Sequence, residues 1–508
     1  MKPTRITGKG CLIATGALAI GLLAPYAALA DLNIVGSTHG QNYQGAAVVA
    51  AGQAAAAIPL TLCDTGSTAT RYQNGVINDM TVPSISIPAG NIVLWVCTVN
   101  AVPNFTFRYT GGFSAMAYGN IKAPLGDPLS MFTTIVPGGT GCGTATTQID
   151  PGTGLSYQSI SGCTQRTLVS ADFATSDTVG TSFATNMCDP TPECASPIAD
   201  IGIASFPITA TPFVVIVGNG VQKCNPTDMS ANGKISLTRI QVEAIFTGTI
   251  ASWNQLGYCV YPVVPISGST ASLVGAGGGD LSPIGTPLGS EDQSIVTCSR
   301  PTTAGTRIIF DATIMKDVPQ LNFGKHGTNV PPFTGDFNYL ANTVADGLTC
   351  VQGRQTPSPA SAANNNAITY NRADEGASPV NFGPGNVGRM RGGYPVVLDG
   401  TLPSNYVAPA VLSTPTAAER AASQKDFRCG RYEFWADWVG IQRTVQNPNQ
   451  ALWDRYVAAI GNLLPLTPAG YFWSVDTKQP GKSIVSEMFV SKSQAKGPQL
   501  FNDVTNCS

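Results

Sequence analysis

Four short segments of the chain carry the residue types that bind anions: Gly36-Ser37-Thr38, Tyr109 to Ser114 (YTGGFS), Asp172 to Asp177 (DFATSD) and Arg300 to Thr306 (RPTTAGT). Each is built of small and hydroxyl-bearing residues at the point where an apolar stretch gives way to a helix-like one. Hydroxyls and free backbone N–H groups at such turns are neutral donors, and a helix N-terminus favours negative charge. Arg300 adds a cation whose planar fork matches an oxyanion. Singly, each segment also reads as an ordinary polar turn. Converging on one cleft, the four would make a desolvated anion site. Other chemistries have less material. The chain has two histidines, His39 and His326, which excludes a three-histidine metal site. No G-x-S-x-G is present, and Ser114 is followed by Ala-Met, which leaves a hydrolase without its nucleophile turn.

Positioning these turns requires strands and helices in alternation. Leu32 to Val35 reads as a short strand leading into Gly36-Ser37-Thr38, with an Ala-rich helix from Gln41 to Ala57 after it. Ile92 to Val99 and Asn104 to Tyr109 read as strands from their β-branched and aromatic content. Asp200 to Ser205 and Phe213 to Val217 read as two further strands, apolar throughout as buried parallel strands are. Leu237 to Phe246 reads as a helix with a Thr238/Gln241 capping box. A strand over Val296 to Ser299 and a helix over Gly305 to Met315 flank the arginine turn. Gln450 to Leu464 reads as an amphipathic helix presenting Leu452, Trp453, Tyr456, Val457, Ile460 and Leu463 on one face. Alternation of this kind predicts an α/β protein with mainly parallel sheets. Ser267 to Ser290 and Gln355 to Ala367 are low-complexity loops, and neither contains G-x-G-x-x-G or G-x-x-x-x-G-K.

Composition narrows the class further. At 508 residues the chain holds roughly three domains by length, or one large two-lobed body. Charged residues make up 11%, against about 25% in soluble proteins generally. With a net charge of −2 there is no basic face for nucleic acid. Lys2, Arg5 and Lys9 precede the apolar run Leu12 to Leu23, and Ala28-Leu29-Ala30 forms an A-x-A cleavage site. Residues 1–30 therefore read as a signal peptide, with Asp31 as the mature start. The run is too short to span a bilayer, which takes about 20 residues, and no other segment is apolar enough. The expected location is periplasmic or extracellular. Twelve cysteines follow the signal, an even number that suggests up to six disulfides in an exported chain. Local pairing predicts Cys63–Cys97, Cys142–Cys163, Cys188–Cys194 and Cys259–Cys298, leaving Cys350–Cys429 and Cys224–Cys507. No C-x-x-C pair supports zinc.

The segment Ile245 to Asn254 (IFTGTIASWN) resembles the helix-end signature of the phosphate-binding proteins of bacterial ABC transport and their extracellular DING-type relatives. Arg300-Pro-Thr-Thr-Ala-Gly-Thr306 resembles that family's Arg-x-x-x-Ser-Gly-Thr turn, DFATSD its D-F-x-x-S-D segment, and Tyr109-x-Gly111-x-x-Ser114 its Y-x-G-x-x-S turn. Phe206-Pro207 with Phe213 to Val217 is similar to the first crossover, and Gly430 to Phe434 to the returning strand. The order matches throughout. The resemblance implies a two-lobed type II periplasmic-binding-protein fold, with two crossover strands and the ligand cleft between the lobes. Lobe I would be residues 31–208 and 428–508, and lobe II residues 209–427. It implies that Thr38 and the N–H of His39 bind the anion. Ser114 would donate to it and Asp177 accept the proton of monohydrogen phosphate. Arg300 would pair its charge, and Gly305 and Thr306 would donate at the helix N-terminus. No catalytic residue, cofactor or metal is implied; the partners would be phosphate or a similar oxyanion and an ABC permease. Two positions depart from the pattern. Ala304 replaces the serine before Gly-Thr, and Thr302 replaces the acidic residue two after the arginine, although Thr303 offers a hydroxyl. Asp200 to Ser205 is a rival to DFATSD, but thirty residues separate Asp177 from Pro207, room for the intervening helix.

Two functions fit. One is a secreted solute-binding protein for phosphate or a related oxyanion. The other is an extracellular structural or adhesive protein that kept the fold and lost tight binding. The first is the principal reading; the second draws support from low charge, long Ser/Thr/Gly loops, up to six disulfides and the two departures at the arginine turn. Trp253, Trp435 and Trp438 are expected in the core rather than at a ligand.

Overall fold

The computed structural model describes residues 31–37, 62–64, 67–74, 92–112, 114–136, 141–149, 156–183, 201–218, 220–224, 235–265, 281–283, 286–289, 293–301, 304–316, 320, 338–341, 347, 350–351, 366–373, 393–401, 425–445, 447–463, 473–474, 490–492, 499–501 and 507. The expected signal peptide, the helix over Gln41 to Ala57 and the Cys188–Cys194 pair lie outside these residues.

The fold is mixed α/β around a large central sheet of fourteen strands. Along the chain its main path comprises β1 (Asp31–Ser37), β2 (Thr70–Gln73), β3 (Ile92–Val99), β4 (Val102–Gly112), β5 (Thr146–Ile149), β6 (Ser156–Ile160), β7 (Phe173–Ser176), β8 (Ile203–Gly218), β9 (Val296–Ser299), β10 (Asn338–Leu340), β11 (Ala367–Arg372) and β12 (Trp435–Arg443). Their spatial order is β10-β9-β11-β8-β12-β7-β1-β4-β3-β2-β6-β5. The principal helices are α1 (Ser114–Lys122), α2 (Arg239–Phe246), α3 (Gly305–Phe310) and α4 (Gln450–Leu463).

The sheet is mixed rather than mainly parallel. β1 runs parallel to β4 and β7, while β3 is antiparallel to β4 and β2 antiparallel to β3. The expected strand pair at 200–205 and 213–217 is one sixteen-residue strand, β8, because Phe206 to Pro212 continue its pairing with β12. Pro207 and Pro212 are tolerated there, Pro207 beside a register shift that lies between it and Thr209. The returning strand starts at Trp435, after the Gly430 to Phe434 segment that resembled it.

β8 and β12 join two halves of the sheet. The first part of β8 pairs with β12, which in turn pairs antiparallel with β7. The second part, Phe213 to Val217, pairs antiparallel with β11, and β9 lies parallel to β11 and to β10. By this alternation β1, β4 and β7 point one way and β9, β10 and β11 the other. The C-terminal ends of the two sets therefore face each other. Ser176 is level with Val439 and Pro207, and Arg372 is level with Phe213. Six residues of β8 span the interval, about 20 Å at ~3.4 Å per residue.

Packing follows from strand alternation. On β1, Leu32 and Ile34 enter one core with Phe107, Phe173, Trp438 and Trp453, while Val35 enters another with Tyr118, Ile121 and Ile441. α4 covers the first face, with Trp453 stacked on Phe173 at 4.6 Å; Leu452, Tyr456 and Val457 are buried as the periodicity predicts. α1 covers the opposite face. A third core in the other half gathers Phe246, Phe310, Tyr370, Phe434 and Trp435, with Phe310 stacked on Tyr370 at 3.8 Å. Trp253 is buried there and donates to the Asn366 carbonyl at 2.7 Å. α2 begins at the expected Thr238/Gln241 capping box. No helix among the described residues is long and apolar enough to cross a membrane.

Five disulfides join described cysteines. Cys63–Cys97 and Cys142–Cys163 are as expected. The expected Cys259–Cys298, Cys350–Cys429 and Cys224–Cys507 are corrected to Cys224–Cys259, Cys298–Cys350 and Cys429–Cys507. The reason is local pairing. Strands Val221–Lys223 and Tyr258–Val260 pair with Lys223 opposite Tyr258, which sets Cys224 beside Cys259 and leaves Cys298, on β9, for Cys350.

Candidate functional site

The interval between the facing strand ends is lined on one side by the ends of β1, β4 and β7. Ser37, Gly112 and Ser176 end these parallel strands, Ser37 level with Gly112. β1 approaches β7 closely because Gly36 has no side chain; a Cβ there would collide with Thr175 Oγ1. Ser114 and Asp177 follow β4 and β7. The Asp177 backbone N–H donates to Ser114 Oγ at 3.1 Å, and Ser114 Oγ donates to Asp177 Oδ2 at 3.3 Å. Both residues are buried. The single hydroxyl proton of Ser114 is thus directed at the carboxylate, and a ligand at this spot would have to redirect it.

Behind them lies a hydroxyl relay that the sequence reading did not single out. Tyr109 Oη donates to the Ser37 carbonyl and lies 3.0 Å from Thr175 Oγ1; Trp438 Nε1 donates to Ser37 Oγ at 3.2 Å. Burial pushes the Tyr109 phenol well above its ordinary pKa, so it stays a neutral donor. Tyr109 belonged to the YTGGFS turn, but its role is visible only once β1 is seen beside β4.

The opposite side is the end of β9, the start of α3 and the end of β11. Arg300 is buried, and its N–H donates to Tyr370 Oη at 3.1 Å. Gly305 opens α3 against the first side. A Cβ on it would stand 2.5 Å from Ser114 Oγ and 2.7 Å from Asp177 Oδ2. Only glycine allows that approach. The expected helix from Gly305 to Met315 is α-helical to Phe310 and then widens to a π-turn over Asp311–Met315. Asp311 pairs with Arg307 at 2.6 Å, both nearly fully buried, and Arg307 Nη1 donates to the Arg300 carbonyl at 3.2 Å. Burial pulls the Arg307 pKa down, and Asp311 more than restores it. A carboxylate does support the arginine turn, but it comes from Asp311 and acts on the backbone of Arg300.

Of the expected site residues, the structure brings Ser114, Asp177 and Gly305 into direct contact. Thr306 is buried in the first turn of α3, and Arg300 is buried at the end of β9. Thr38 and His39 follow the last residue of β1 and lie outside the described residues, as do Thr302 and Thr303. Ala304 is the N-cap of α3 and offers no side-chain hydrogen bond. The rival segment, which ends in Ser205 where an acid would stand, runs into β8, with Ser205 paired to Ile441. Arg372 and Asn371, at the end of β11, were missed, because nothing in AITYNR marks it as part of a turn.

No protein-family model matches the chain, and no curated protein matches it in sequence. Among solved structures, the chain is similar to an ABC-type phosphate transport receptor from Vibrio cholerae (12% identity, 57% of this chain and 73% of that one, TM-score 0.28). It is also similar to a putative phosphate ABC transporter substrate-binding protein with bound phosphate from Clostridium perfringens (13%, 60% and 88%, TM-score 0.29). A third is a phosphate-binding protein from Stenotrophomonas maltophilia (14%, 59% and 70%, TM-score 0.26).

Proposed function

We propose that the protein is an exported solute-binding protein, not an enzyme, that holds a tetrahedral oxyanion, phosphate above all, between two lobes. The lobes are residues 31–208 with 428–508, and residues 209–427. The observation that carries this reading is the meeting of Ser114, Asp177 and Gly305 at the facing ends of two sets of strands. Ligands of open α/β sheets gather at the carboxyl ends of strands. In this reading Asp177 accepts the proton of monohydrogen phosphate, Arg300 pairs its charge, and Thr38, the His39 N–H, Ser114, Gly305 and Thr306 donate. An ABC permease would be the partner in the periplasm. Titration calorimetry of the mature chain with phosphate, arsenate and sulfate tests it. Phosphate binding in the micromolar range or tighter, lost in Arg300→Ala, is the expected result. No heat with any of the three ends the reading.

A second reading has its own observation. Ala304 caps α3 without a side-chain bond, and the Ser114 proton is directed at Asp177. Losing one donor to a buried charged ligand costs about ten- to hundredfold in affinity. An extracellular structural or adhesive protein that kept the fold would carry such losses. Ala304→Ser separates the two readings: tighter phosphate binding supports the first.

A further inference from the structure

β12 and β1 leave β7 at nearly the same level. β12 pairs with β7 from Ile441 to Val439, which is level with Ser176. β1 pairs with β7 from Ile34 to Gly36, which is level with Thr175. Trp438 and Ser37 are therefore each one residue beyond the last pair, on either side of the strand that Asp177 follows. The indole bridges them: Trp438 Nε1 donates to Ser37 Oγ at 3.2 Å, past the end of β7. Trp438 is 0% exposed and Ser37 1%, so water does not compete for this bond.

Other buried tryptophans use their N–H differently. Those of Trp435 and Trp453 have no hydrogen-bond partner among the described residues, and Trp253 bonds a backbone carbonyl in the other half. Ser37 is held from β4 as well, since its carbonyl accepts from Tyr109 Oη. An indole donates and does not accept. It fixes Ser37 Oγ as an acceptor and leaves the serine's own proton for a different partner. The two residues after Ser37 are Thr38 and His39, the first anion turn of the binding-site reading. On the other side, Trp438 belongs to the strand that joins the halves. It is level with Thr209, just past the register shift in β8, and Ala436 and Trp435 continue level with Thr211 and Pro212. Trp435 is already in the core of the other half.

We propose that Trp438 is a positioning residue of the site. Its indole N–H ties Ser37, and through it the turn that starts at Thr38, to the crossover strand β12. The proposal rests on the binding-site reading above. A shift in the course of β12 at the interval moves the donor that holds Ser37, so the geometry offered to an oxyanion follows the strand that sets the spacing of the halves. Trp438 acts through Ser37 and does not touch the anion.

Phosphate titrations of the mature chain test this on wild type, Arg300→Gln, Trp438→Phe, Ser37→Ala and the double variant W438F/S37A. W438F keeps an aromatic ring and removes the N–H. It should bind phosphate about two- to tenfold more weakly, the worth of one neutral hydrogen bond. In the S37A background the same change should cost less than about twofold, because the bond it removes is already gone. If wild type binds no phosphate, the binding-site reading falls and this proposal with it. If R300Q loses phosphate while W438F stays within about twofold of wild type, the reading stands and Trp438 is overturned. An equal loss in both backgrounds assigns the effect to packing of the ring and also overturns the proposal. Should W438F fail to fold, replacing the six tryptophans by 5-fluorotryptophan decides. S37A identifies the Trp438 fluorine resonance by shifting it, and phosphate must move that resonance in the chain that keeps Ser37. A resonance unmoved at saturation overturns the proposal.

Discussion

The two sides of the interval are built from different materials. The side after β1, β4 and β7 is hydroxyls and one carboxylate, tied to one another: Ser114 to Asp177, and Tyr109 to Ser37 and Thr175. The side after β9 and β11 carries the buried Arg300 and Arg372, with Arg307 of α3 paired to Asp311 one helical turn further on and donating to the Arg300 carbonyl. The first can discriminate between ligands by their protons, because a buried carboxylate accepts a hydrogen bond from a protonated oxyanion and repels one without a proton. The second supplies charge and cannot tell protonated from bare anions. In the proposed site an anion would draw on both, and its binding would couple the two halves of the sheet. The approach of α3 through Gly305 makes that coupling possible.

The largest expected effect tests the support of the arginine side. Arg307→Ala leaves Asp311 buried without its partner, and breaking a buried pair typically costs about 3–5 kcal/mol. Denaturant melts should show that loss, and a change under about 1 kcal/mol would mean the pair does not organise the turn. Next, Gly305→Ala puts a methyl where Ser114 Oγ and Asp177 already stand. Overpacking of this kind costs about 1–3 kcal/mol. Phosphate binding should vanish with it, since the sides must part; full binding in this variant would show that the ligand sits elsewhere.

A smaller effect isolates the discriminating side. Asp177→Asn replaces an acceptor with a group that also donates, so sulfate should gain on phosphate by about tenfold, or ~1.4 kcal/mol. An unchanged ratio in paired titrations removes Asp177 from the site. The smallest effect concerns the joint between the halves. Lys492 Nζ donates to the Glu433 and Trp435 carbonyls and lies 4.3 Å over the Trp435 ring, where β12 begins. Burial lowers its pKa to about 7, and burial raises that of Asp437 to about 7. The lysine holds its proton less tightly when folded, so stability should rise as pH climbs above 7. The carboxyl holds its proton more tightly when folded, so stability should fall as pH rises from about 4 towards 7. Thermal melts should show a shallow minimum near neutral pH, below about 1 kcal/mol per pH unit. Lys492→Met should flatten the alkaline arm; an unaltered profile would assign the slope to other groups.

Local rules made much of the chain legible. The capping box at Thr238/Gln241, the strand at Val296–Ser299 and the apolar face of α4 depend on neighbours within a few residues, and each stands where the pattern placed it. The turns that hold Ser114, Asp177 and Gly305 also follow strands, as the small residues after each apolar stretch indicated. Long-range pairing was not legible. Three of the expected disulfides are corrected, one drawn from nearness in sequence and two from elimination, since neither carries information about which strands are neighbours. The two apolar runs around Pro207 and Pro212 merged into one strand because β12 supplies a partner along nearly the whole length. Ala367 to Arg372 carried no mark in the sequence, and only the antiparallel pairing of β11 with β8 turns its end, Arg372, towards β4 and β7. What the amino-acid order determined by itself is the kind of chemistry: hydroxyls, one acid and arginines at turns. Which of them share a site was decided by strand direction, a property of the assembled sheet, because only pairing with β8 and β12 makes two sets of carboxyl ends face each other.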